Sequence, residues 1–92
     1  MTSLDLVSCL NGTSPARLRG EEFDALLAAA TVVREENTGI AGMLRVLTLG
    51  EWVLVQEETP QREILLRARP DLEAAMAFVD RRLQRYEKMW DG

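Results

Sequence analysis

Three runs of apolar and β-branched residues, Met43–Leu49, Trp52–Glu58 and Arg62–Ala68, follow one another with only Gly50-Glu51 and Thr59-Pro60-Gln61 between them. Connections this short permit antiparallel pairing of neighbours and nothing else, because a parallel crossover needs a dozen or more residues. Gly50-Glu51 has the Gly-X pattern of a type II′ hairpin turn. A two-residue loop fixes the register, setting Leu49 opposite Trp52, Leu47 opposite Leu54 and Arg45 opposite Gln56. On the other face Thr48 meets Val53, Val46 meets Val55 and Leu44 meets Glu57. Pro60 suits the second position of the next turn. The β-branched stretch Thr31–Glu36 reads better as a further strand on the edge of this meander than as two more helical turns, and composition alone leaves that choice open.

From Pro70 the apolar spacing changes to that of a helix, with Leu72, Met76, Val79, Leu83, Tyr86 and Trp90 on one stripe and Phe78 and Met89 widening it. Asp71 and Glu73 sit near the positive end of this helix, and Arg85 and Lys88 near its negative end. Upstream, Ser14-Pro15 has the form of a helix start, and Gly20 resets it. Phe23, Leu26, Leu27 and Ala30 then fall at i, i+3, i+4 and i+7, a second buried stripe. Leu4–Leu10 fits one or two helical turns ended by Asn11-Gly12, or equally a short strand. The expected fold class is therefore α+β: short N-terminal helices, a three- to four-stranded antiparallel meander, and a long C-terminal amphipathic helix packed on the sheet. At 92 residues the chain makes a single small domain.

Charge narrows the function. The net charge is −4, and the bases are ten arginines and one lysine. Residues 1–60 hold nine acids against four bases, whereas residues 61–92 hold six acids against seven bases. A nucleic acid or anionic membrane needs a basic footprint that such a domain lacks, so neither is expected as a partner. The lone Cys9 cannot close an internal disulfide, and the longest weakly polar run is far short of the roughly 20 residues that span a bilayer. A cytoplasmic location is expected.

Catalytic chemistry is poorly provided for. Without histidine there is no Ser-His or Cys-His pair and no imidazole metal ligand. Cys9 has no evident base beside it. No phosphate-cradling loop or cation loop is present. The chain is expected to be no enzyme and to need no cofactor or metal.

Four constellations remain. The sheet is apolar on both faces, which calls either for helices on both sides or for a second chain. A helix bearing Ala25, Ala28, Ala29 and Ala30 brings little bulk, so a partner surface is expected at Leu47, Leu49, Trp52 and Leu54. Tyr86 and Trp90 add aromatic groups of the kind that dominate binding hot spots, although on the core stripe they read first as core anchors. Glu35, Glu36, Glu57 and Glu58 fall at one end of the sheet as an acidic patch, with Arg34 and Arg62 near enough to neutralise part of it. Arg81, Arg82, Arg85 and Lys88 form a basic stripe on the last helix, which reads first as a solvated face.

The expectation these features support is a non-enzymatic protein-protein interaction module, a small acidic regulator, inhibitor or assembly factor, working as a homodimer. A small-molecule sensor, with its ligand between sheet and last helix, is the first alternative. An acidic mimic of nucleic acid is the second, although four carboxylates are few for that purpose.

Overall fold

The computed structural model describes residues 16–39 and 42–91. The order of elements is β1 (Ala16–Leu18), α1 (Gly20–Ala29), β2 (Thr31–Asn37), β3 (Met43–Leu49), β4 (Trp52–Glu58), β5 (Ile64–Arg69) and α2 (Leu72–Asp91). The strands make one sheet in the order β1-β5-β4-β3-β2, with every pair antiparallel.

The β3–β4 hairpin has the expected register throughout, from Leu49 opposite Trp52 to Leu44 opposite Glu57. Gly50 sits at φ +59°, the left-handed first position that a type II′ turn demands and glycine supplies without a Cβ penalty. Thr31–Asn37 does join as an edge strand, with an irregularity between Val32 and Arg34. The second turn is longer than its sequence suggests. The Arg62 N–H donates to the Thr59 carbonyl at 2.9 Å, and the Glu63 N–H donates to Thr59 Oγ1 at 3.1 Å. Arg62 is thereby held at φ +65°, so the last strand starts at Ile64 and not at Arg62.

The strand count is five. Ala16–Leu18, expected as the first turn of a helix, pairs with β5 from Ala16↔Leu66 to Leu18↔Ile64. The reason is that β5 would otherwise end the sheet with unpaired backbone groups, and three extended residues satisfy them. The helix then begins at Gly20, where the Arg19 N–H donates to Glu22 Oε1 at 3.0 Å. The short segment Leu4–Leu10, Cys9 and the Ser14-Pro15 cap lie outside the described residues.

Each face of the sheet carries its own helix. On one side Leu26 of α1 is fully buried with Leu18, Leu47, Leu54 and Leu66, flanked by Phe23, Leu27 and Ala30. That stripe is the one the sequence spacing marks. On the other side Ala75, Val79 and Tyr86 of α2 close over Leu44, Val46 and Val55. Asp71 caps α2, its Oδ1 accepting the Ala74 N–H at 2.8 Å. Leu72, expected on the buried stripe, is 41% exposed because it precedes the turn at which the helix meets the sheet. The expectation of a homodimer rests on a sheet face left open. Here each face carries a helix of the same chain, while Val32 and Trp52 on the α1 face stay 44% and 37% exposed. Among the described residues no helix is long and apolar enough to cross a membrane.

Candidate functional site

The residues expected to form a partner surface divide between core and rim. Leu47, Leu54 and Tyr86 are buried, and Leu49 packs at the margin of the α1 cluster. Trp52 is 37% exposed at the mouth of the hairpin. The side chain of Trp90 lies outside the described residues. Leu47 and Leu54 face α1 while Tyr86 faces the opposite side of the sheet, so these groups do not make one patch.

The four acids do gather at one end of the sheet, since Glu36 stands opposite Leu44 and Leu44 opposite Glu57. Alternation then sends Glu36 and Glu57 to the α2 face, and Glu35 and Glu58 to the α1 face. Each is met by an arginine. Arg45 reaches Glu35 at 2.8 Å and Glu58 at 3.3 Å, and Arg34 reaches Glu36 at 3.2 Å. Arg34 also bridges to Asp80 of α2 at 2.9 Å. No Arg62 pairing with these acids occurs among the described residues. The same set contains no group of three or more acids or cysteines placed to hold a metal ion.

Glu57 is the exception in kind, because it is 3% exposed. Its Oε1 accepts from Arg67 at 2.7 Å, and its Oε2 accepts from the Tyr86 hydroxyl at 2.7 Å with Arg82 at 3.4 Å. A buried carboxylate is tolerable only with this degree of pairing. Burial first, and then the bond to the Glu57 carboxylate, push the Tyr86 phenol well above its ordinary pKa.

The other end of this network opens into a cluster of arginines. Arg67 and Arg69 are two apart on β5 and share its α2 face. On α2, Phe78, Arg81, Arg82 and Arg85 lie three and four residues apart, hence on one surface of the helix. The two sets meet at the Phe78 ring. The guanidinium carbons of Arg67, Arg69 and Arg82 stand 5.0, 4.7 and 5.0 Å from its centroid, within the range of cation–π attraction. Phe78, Arg81, Arg82 and Arg85 line a half-open cleft of about 270 Å³.

Few of these donors are spent. Arg67 and Arg82 share Glu57, and Arg69 donates only to the Ala68 carbonyl at 3.1 Å. Arg81 and Arg85 have no acceptor among the described residues. Burial, and then repulsion from Arg67, Arg81 and Arg82, hold the Arg69 guanidinium below its ordinary pKa. Three arginines thus stand over one ring, with Arg81 and Arg85 beside them along the helix, and Glu57 is the carboxylate that Arg67 and Arg82 share.

The sequence marks Arg81, Arg82 and Arg85 as a stripe, but not the convergence of Arg67 and Arg69 upon it. The signal available was the Arg67-Ala68-Arg69 pair at strand spacing, next to Phe78-x-x-Arg81-Arg82-x-x-Arg85 at helical spacing. No family model, curated protein or solved structure matches this chain.

Proposed function

We propose that this protein is a non-enzymatic interaction module that docks through the arginine cleft of α2, with Arg67 and Arg69 of β5 beside it over Phe78, onto an acidic segment of another protein. One observation supports this reading above the others: three arginines stand over the Phe78 ring and Arg81 and Arg85 line the cleft beside it, with Glu57 the only carboxylate paired to any of the five among the described residues, in a chain whose net charge is −4. Arginine forks recognise carboxylates bidentately, and the aromatic floor shields the contact from water. An acidic chain repels polyanions at large, so the local excess gives orientation and selectivity beyond simple attraction. Such docking suits a small regulator, inhibitor or assembly factor.

Fluorescence anisotropy with labelled hexaglutamate and hexalysine peptides tests this. The glutamate peptide should bind saturably, weaken as salt is raised, and lose binding to an Arg81→Glu/Arg85→Glu variant. Equal binding of the two peptides, or no effect of the charge reversal, would remove the proposal.

A further inference from the structure

We infer that the anion this cleft selects is a phosphoryl dianion, carried on a phosphorylated side chain of the docking partner; this rests on the docking reading above. The inference comes from an account of donors. Each guanidinium offers five N–H groups and no acceptor. At the Phe78 ring, one N–H each of Arg67 and Arg82 is turned to Glu57, and one of Arg69 to a backbone carbonyl. Arg81 and Arg85, four residues apart on α2, hold all of theirs free among the described residues.

A single side-chain carboxylate carries one charge and two oxygens, and it satisfies one such fork. Three arginines pair with no carboxylate among the described residues: Arg69 over the Phe78 ring, and Arg81 and Arg85 along the cleft. A phosphomonoester brings a charge of about −1.5 to −2 and three acceptor oxygens, which matches that surplus. The volume of about 270 Å³ admits a phosphoryl group and the first atoms that carry it. Because the residues that line the cleft all lie within about two turns of α2, it gives an extended polyanion no track to follow. Asp80 and Glu87 interrupt the basic residues along α2.

Calorimetric titration of the full chain with four probes provides the test: a phosphoserine peptide of otherwise neutral sequence, its serine and glutamate counterparts, and phenyl phosphate. The phosphoserine peptide should bind at least about tenfold tighter than the glutamate peptide, and the serine peptide not measurably, as charge-assisted hydrogen bonds of this kind imply. The phosphorus resonance of the bound peptide should titrate below its free pKa of about 6, a signature that packing alone would not produce. Arg81→Ala/Arg85→Ala should weaken the phosphopeptide at least about tenfold. Both side chains are exposed and unpaired, so the melting temperature should hold, and Lys88→Ala serves as the matched control.

Equal affinity for the glutamate and phosphoserine peptides would overturn phosphoryl selection and leave the docking reading standing. Phenyl phosphate binding as tightly as the phosphopeptide would support phosphoryl selection but overturn a protein-borne source. Failure of every probe would overturn both.

Discussion

Tyr86 and Glu57, 29 residues apart in the chain, meet oxygen to oxygen at 2.7 Å between α2 and β4. The contact ties the far half of the long helix to the middle of the sheet, and it serves the one fully enclosed carboxylate on that face. Tyr86→Phe should leave Glu57 Oε2 with only Arg82 at 3.4 Å. Removing a hydrogen bond to a buried charge costs about 1.5–3 kcal/mol, and thermal unfolding should occur roughly 10 °C lower. Glu57→Gln should cost more, about 3–5 kcal/mol, because it leaves Arg67 and Arg82 without a counter-charge. Circular dichroism melts of the two variants check the order.

The same contact predicts a pH response at the alkaline end. Tyr86 is the only tyrosine, so tyrosinate absorbance reports it alone. Its folded pKa is raised above the unfolded value of about 10. In the unfolded chain the phenol therefore releases its proton first, and the folded form binds more protons above pH ~10. The stability that this contact contributes is whole below pH ~10 and is lost as pH rises through the folded pKa. Spectrophotometric titration should show tyrosinate appearing together with unfolding. A free phenol titrating near pH ~10 in the folded protein would contradict the burial.

Gly42 lies at φ +157°, and a Cβ there would stand 2.8 Å from Cβ of Glu58. Gly42→Ala should therefore force β3 and β4 apart at their acidic end, costing about 1–3 kcal/mol as overpacking does. Gly20→Ala makes the comparison, since a Cβ at that position meets nothing within 4 Å. Urea denaturation should show a clear loss of midpoint for the first variant and little change or a gain for the second.

Leu26 is the one fully buried residue of α1. Leu26→Ala should destabilise the fold by about 2–5 kcal/mol and loosen α1 from the sheet. Amide exchange should then accelerate in α1 and along the α1 face of β3 and β4 before it does so beneath α2.

The meander was legible because turn chemistry and alternation agree. Gly50 fixes one hairpin, and every pairing from Leu49–Trp52 to Leu44–Glu57 follows from it. The α1 stripe was legible for the same reason, its spacing being unambiguous. What stayed hidden was long-range. Ala16-Arg17-Leu18 has no strand pattern of its own and becomes a strand only because β5 offers an open edge. The alanines of α1 bring little bulk, yet Phe23, Leu26 and Leu27 pack over Leu47, Leu54 and Leu66, leaving Val32 and Trp52 exposed on that face. Arg67 and Arg69 belong to the strand and Arg81, Arg82 and Arg85 to the helix, and only packing brings Arg67 and Arg69 to the Phe78 ring beside Arg82. Trp52 was placed correctly at a hairpin mouth, yet its partners Leu47 and Leu54 went inward.

The pairing of β1 with β5 also bears on the order in which the chain assembles. Every other strand contact joins neighbours in sequence across a short connection, so β2 through β5 can zip together with little closure entropy. Leu18 must instead reach Ile64 across the whole meander, a contact that becomes favourable only once the hairpins exist to receive it. The three residues of β1 act as a late clasp. They fasten last during folding and let go first under strain, exposing the Ile64–Arg69 edge while the hairpins behind it still hold.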